Sequence, residues 1–101
     1  MTIIYTEEAI ENLDDIYYYL AVERDNTDYA KRYLSAIDDT IKQLEIFPLM
    51  GSPRDNWKEG LRILIHNNHV ITYIFDKDHS LITVLSILHG KQDIERKYRD
   101  D

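Results

Sequence analysis

Val70-Ile71-Thr72-Tyr73-Ile74-Phe75-Asp76 is the most β-prone run of the chain. Branched and aromatic side chains lose rotamer freedom in a helix and pack well on a pleated surface. Turn residues bound the run on both sides: Asn67-Asn68 before it and Lys77-Asp78-His79-Ser80 after it. Asparagine tolerates the left-handed backbone such tight turns need. Beyond the turns stand two more β-prone stretches, Leu61 to His66 and Leu81 to Leu88. Connections this short cannot carry a parallel crossover, so the three strands form an antiparallel meander.

Upstream the apolar period changes from two to between three and four. Thr2 to Tyr5 is a short strand-like stretch, and Thr6 stands where a helix N-cap belongs, followed by Glu7 and Glu8 in the first turn. Ala9, Leu13, Ile16 and Leu20 then mark one face of a helix running to about Arg24. Asp25-Asn26-Thr27 is a turn with a second N-cap. A second helix carries Ala30, Tyr33, Ile37, Ile41 and Leu44 on one stripe, with Leu34 beside it, and ends at Phe47-Pro48. Two helices with a short link form an αα-hairpin. A loop follows from Pro48 to Gly60, and the chain closes with a charged tail, a short or frayed helix, after Gly90.

The order is β-α-α-β-β-β, an α+β fold. The helical hairpin buries its stripe on one face of a small, mainly antiparallel sheet, leaving the other face more open. The 101 residues suit one domain spanning 1–101. With no cysteine, the chain has neither disulfides nor thiolate metal sites, and no metal or cofactor is expected. Neither a signal peptide nor a membrane-length apolar run is visible, so the expectation is a cytoplasmic protein with no membrane contact.

Charge is unevenly spread. Residues 1–47 carry eleven Asp/Glu against four Lys/Arg, a balance of −7, whereas residues 48–101 carry eight of each. A nucleic-acid-gripping protein normally presents a basic patch, and none is evident here. The acidic half suits either a basic partner or plain solubility.

Strand alternation places His69 with Ile71, Tyr73 and Phe75, His89 with Ile87 and Leu85, and His66 with Arg62 and Leu64. Convergence of the three histidines near Arg62 would make an acid–base site; the alternative is polar capping of strand ends. Tyr17-Tyr18-Tyr19 spreads over about 200° of helix arc, so at least one ring lies on a flank or surface. Such a ring marks a partner surface or simply tolerates water. Trp57 and Arg54 lie in the long loop, where Trp57 either folds back over the core edge or serves binding. Lys91, Arg96, Lys97 and Arg99 form the one basic cluster, diluted by Asp93, Glu95, Asp100 and Asp101.

Phe47-Pro48-Leu49-Met50-Gly51-Ser52-Pro53-Arg54, Gly60-Leu61-Arg62, Asn68-His69-Val70-Ile71-Thr72-Tyr73 and Ile87-Leu88-His89-Gly90 together resemble the ParE branch of the RelE/ParE toxin superfamily, in its order and spacing. The helix from Ala9 to Leu20, with Asp14-Asp15-Ile16, resembles the family's first helix, and the likeness runs from about Thr2 to Asp93. The resemblance implies a toxin of a type II toxin–antitoxin pair, neutralised by a cognate antitoxin in a hetero-oligomeric complex. ParE-like members are associated with poisoning DNA gyrase, with no known chemistry of their own. RelE-like members cut mRNA on the ribosome with several cations on the sheet.

Here Arg62 matches one basic position, but Val70 and Ser86 fill two where RelE-like members commonly have arginine. The downstream tyrosine of the RelE-like ending has no clean match, Ile94 being nearby and Tyr98 further on. The gyrase reading is therefore preferred. An mRNA endonuclease using Arg62, His69 and His89 is one alternative, and a non-toxic antitoxin-binding module is another. Target-binding candidates are Arg54, Arg62, His66, Lys91, Arg96, Lys97 and Arg99. Antitoxin-binding candidates are Leu13, Tyr17, Tyr18, Tyr19, Tyr33 and Ile37, whose acidic surroundings suit basic residues beside apolar anchors.

Overall fold

The structure, a computed structural model, describes residues 1–99, and for residues 91–93 and 99 the backbone alone. Strand β1 (Thr2–Tyr5) leads into α1 (Glu7–Tyr18), then α2 (Thr27–Lys42), a two-residue β2 (Ser52–Pro53), β3 (Leu61–His66), β4 (His69–Asp76), β5 (Leu81–His89) and α3 (Lys91–Arg99). The sheet order is β1-β5-β4-β3-β2. Only the β1–β5 pairing is parallel, so the sheet is mainly antiparallel as its turns require.

Both expected caps form. Thr6 Oγ1 accepts the Ala9 N–H at 3.1 Å, and Asn26 Oδ1 accepts the Tyr29 N–H at 3.1 Å. The first helix departs from ideality at its end. Tyr19–Glu23 is a π-helical turn, closed by the Arg24 N–H donating to the Tyr19 carbonyl at 2.9 Å. The wider turn redirects the chain toward α2. The second helix tightens into a 3₁₀ turn, Gln43–Glu45, before the prolyl loop. That loop is not wholly irregular, because β2 pairs with β3 at its edge. Pro53 is tolerated there since an edge residue needs no ladder donor.

One sheet face meets the hairpin. Ala9, Ile16, Tyr33, Ile37, Ile41 and Leu44 from the helices interlock with Leu64, Ile71, Tyr73, Ile82, Val84 and Ile87 from the strands. The helical stripe is the one read from the sequence. The opposite face is less open than expected. α3 crosses it and buries Ile94 completely against Ile63 and Val70. Trp57 stacks on Tyr98 with centroids 6.3 Å apart and planes 2° from parallel, so it does fold back over the core edge.

A β-bulge corrects the simple alternation along β5. Thr72 pairs with Ser86 and Tyr73 with Val84, leaving Leu85 as the extra residue. Ile82, Val84 and Ile87 therefore share the helix-facing core, and Leu85 does not continue the line of Ile87 as strict alternation had it. Thr6 Oγ1 donates to the Leu85 carbonyl at 2.8 Å, and Asn12 Oδ1 accepts the Ile87 N–H at 2.9 Å. Thr6 and the second turn of α1 thus satisfy backbone groups of β5 beyond its last partner pair with β1, Tyr5 and Val84.

Candidate functional site

Where the first turns of α2 meet the β3–β4 turn and the end of β5, the two layers diverge into an open groove of about 660 Å³. Ile16, Leu20, Ile87 and Leu88 give it apolar walls, and Tyr19, Tyr29, Tyr33, Asn67, His69 and His89 give it polar and aromatic ones. Among the described residues Asp15 is the one Asp, Glu, Lys or Arg of its lining.

Tyr33 organises this end of the molecule. Its hydroxyl shares a 2.6 Å hydrogen bond with His69 Nδ1. Its ring lies edge-on to His66, with centroids 5.4 Å apart, and 5.9 Å from the ring of Tyr29. His69 in turn meets His89 edge-on at 5.2 Å. His66 Nδ1 and Thr40 Oγ1 are within hydrogen-bond distance at 3.1 Å. Burial holds the His69 imidazole below its ordinary pKa, and neighbouring His89 and His66 push it further the same way. Burial raises the Tyr33 hydroxyl. At neutral pH the groove thus presents an uncharged imidazole and an uncharged phenol.

The three histidines converge, but not on Arg62. Cross-strand partners place Arg62 opposite Tyr73 and His66 opposite His69, four residues further along the strand, about 13 Å away at strand rise. Arg62 instead donates from Nη1 to the carbonyls of Leu49 (3.1 Å) and Gly51 (2.7 Å). Tyr73, fully buried, donates its hydroxyl to the Pro48 carbonyl at 2.8 Å and accepts the Gly51 N–H at 2.9 Å. Two side chains of the sheet thereby fix the loop entering β2. Arg62 acts here as a structural tie.

The hairpin candidates divide by exposure. Tyr18 and Tyr19 are exposed, Tyr17 and Leu13 are partly buried, and Tyr33 lines the groove. Ile37 is completely buried in the core, so it has no surface to offer a partner. Tyr29 and Asn12 line the groove without having been singled out from the sequence, and Asp15, noted there only in the family likeness of α1, lines it too. Tyr29 stands one helical turn before Tyr33, and that i, i+4 spacing was the available signal.

Arg54 places its guanidinium 5.6 Å from the Trp57 ring and donates to the Pro53 carbonyl. Lys97 bonds Glu8, tying α3 to α1, while Arg96 is exposed. The side chains of Lys91 and Arg99 lie outside the described residues. Val70 is buried beneath α3, and Thr72 and Ser86, both fully buried, share a 2.6 Å hydroxyl–hydroxyl hydrogen bond. Among the described residues no three His, Cys, Asp or Glu side chains are grouped to hold a metal ion, and no helix is long and apolar enough to cross a membrane.

No curated protein sequence matches the chain. Among solved structures, the chromosomal ParDE toxin–antitoxin system from P. aeruginosa superposes with a TM-score of 0.73 at 21% identity, covering 90% of this chain and 97% of the other. The toxin–antitoxin complex RelBE2 from Mycobacterium tuberculosis superposes with a TM-score of 0.67 at 20% identity, covering 87% and 95%. These likenesses speak for the fold. The family model for the ParE toxin of type II toxin–antitoxin systems, parDE, matches residues 3–94, nearly the whole chain. The chain therefore belongs to the ParE toxin family.

Proposed function

We propose that this toxin acts by binding DNA gyrase, that it does not cut RNA, and that a cognate antitoxin neutralises it in a hetero-oligomeric complex. The observation that carries the binding reading is the sheet face of Val70, Thr72 and Ser86. Cleavage by 2′-hydroxyl attack needs cations for the developing phosphorane charge and groups to move protons. On this face Val70 packs against Ile94, and Thr72 and Ser86 satisfy each other. Arg62 belongs to the other face and is spent on loop carbonyls. His69 and His89 meet each other, and among the described residues no Lys or Arg lines the groove beside them.

The groove and its acidic hairpin are the antitoxin site in this reading. Tyr18, Tyr19 and Tyr29 offer exposed rings, the apolar walls take aliphatic anchors, and Asp15 with the hairpin's −7 charge favours basic residues. Both solved relatives are described as toxin–antitoxin systems, which supports such a partner. Inducible expression of the chain alone, with DNA integrity and mRNA cleavage followed in one culture, tests the proposal. DNA breaks and filamentation with intact mRNA are expected. Codon-phased mRNA cuts with intact DNA would make the chain an endonuclease, and normal growth would make it a non-toxic binding module.

A further inference from the structure

We propose that the loop of residues 46–50 is the surface by which the toxin seats on its target protein, and that the target offers an apolar cleft rimmed by carboxylates. The inference rests on the reading of the chain as a toxin that works by binding. Ile46 is 73% exposed, Phe47 61%, Leu49 58% and Met50 45%, four large apolar side chains within five residues. A contiguous exposed apolar patch on a small protein marks a contact surface, whereas isolated exposed residues do not.

The loop's backbone is held in place. The hydroxyl of Tyr73 grips the Pro48 carbonyl and the Gly51 N–H, and Arg62 grips the carbonyls of Leu49 and Gly51. Gly51 has no room for a side chain: an added Cβ would sit 2.6 Å from Tyr73 Cε1 and 2.8 Å from the Ile63 carbonyl oxygen. Polar groups of the sheet thus anchor the inner side of the loop while its apolar side chains face water. A loop fixed before contact loses little conformational freedom on binding.

Charge identifies the kind of partner. Residues 48–62 carry Arg54, Lys58 and Arg62 against Asp55 and Glu59, a balance of +1, beside a first half at −7. Asp55 is engaged by the Gly60 N–H. Among the described residues, no carboxylate lies within ion-pair distance of Arg54, Lys58 or Arg62. An apolar loop followed within a few residues of sequence by Arg54 and Lys58, neither with a carboxylate partner among the described residues, complements an apolar cleft edged with Asp and Glu. This surface is separate from the groove. Tyr29 and Tyr33 sit in the first turns of α2 and the loop follows its last, and the sixteen residues of that helix span about 24 Å.

The test compares wild type with Phe47→Ser/Leu49→Ser and with Lys58→Glu, in growth arrest on induction and in inhibition of supercoiling by purified DNA gyrase. Thermal melting and its pH dependence confirm that fold and groove are unchanged; Leu49→Ser alone replaces the double variant if that one melts early. The double variant is expected to need at least about tenfold more protein for half-inhibition, and Lys58→Glu several-fold more. Undiminished arrest and inhibition by the double variant would overturn the proposal, and an unaltered Lys58→Glu would overturn its charged rim. If wild type arrests growth without inhibiting gyrase, the gyrase reading fails, and arrest alone then judges the loop. Loss of arrest in the folded double variant would still support it, and persistent arrest would overturn it. A wild type with neither effect overturns both.

Discussion

The hydroxyl of Tyr33, in α2, lies 2.6 Å from Nδ1 of His69, at the start of β4, and joins the helical hairpin to the end of the sheet. Around it the layers separate into the groove, and this bond ties them together at the groove's polar end. Tyr33→Phe keeps the ring packing and removes the bond. The variant should lose about 1 kcal/mol of stability, a fall of about 5 °C in melting temperature for a domain of this size. Calorimetry checks this, and an unshifted transition would show the bond to be energetically idle.

The same cluster gives a pH dependence of definite sign. His69 has a folded pKa below its ordinary value of 6.5, from burial first and from His89 and His66 next. Between the two values the unfolded chain binds the extra proton and the folded chain does not. Stability is therefore full above about pH 6.5 and declines as pH falls below it. Denaturant midpoints taken from pH 7.5 to 5 should show the decline, and His69→Gln should flatten it. A profile equally steep in the variant would assign the decline to other groups.

Thr72 and Ser86 make a sharper test of bookkeeping on the opposite face. Each hydroxyl is the other's partner in a fully buried setting. Thr72→Val strands the Ser86 hydroxyl and should cost about 1–3 kcal/mol. Adding Ser86→Ala removes the stranded group and should recover most of that loss. A double variant as unstable as the sum of the singles would contradict the coupling.

Gly51 should tolerate no side chain. Gly51→Ala brings a methyl against Tyr73 and the Ile63 carbonyl, and one of these neighbours is backbone. Overpacking of this kind costs about 1–3 kcal/mol. Amide exchange is expected to rise first in residues 49–54, where the clamp and β2 lie, while the β4–β5 ladder stays protected. Exchange unchanged in that loop would mean that the clamp adapts.

Much of this fold was legible because its signals are periodic. The stripe from Ala30 to Leu44, the Thr6 cap, a second cap within Asp25-Asn26-Thr27 and the Asn67-Asn68 turn each follow from local chemistry, and each stands where the sequence put it, the second cap being Asn26. The bulge at Leu85 and the π turn at Tyr19–Glu23 were not legible. Each adds one residue to a regular repeat, and only packing against another element decides where. The site was half legible. Alternation grouped His69 with Ile71 and Tyr73 and His89 with Ile87, but left open whether the histidines meet, and the role of Arg62 depended on where a loop of no fixed period would lie. Tyr33 read as a core residue by spacing, and it is one. Its hydroxyl's partner, 36 positions away, is a tertiary fact. The cover over the opposite face was missed because α3 is highly charged, and among its described side chains the one deep anchor is Ile94.

We propose that this ParE-family chain acts on gyrase by binding. The most direct test is to incubate the purified toxin with DNA gyrase and supercoiled plasmid, and separately with translating ribosomes and mRNA. Gyrase-linked DNA breaks or lost supercoiling that rise with toxin concentration are expected, with the mRNA intact. Cleaved ribosome-bound mRNA beside an unaffected gyrase would contradict it.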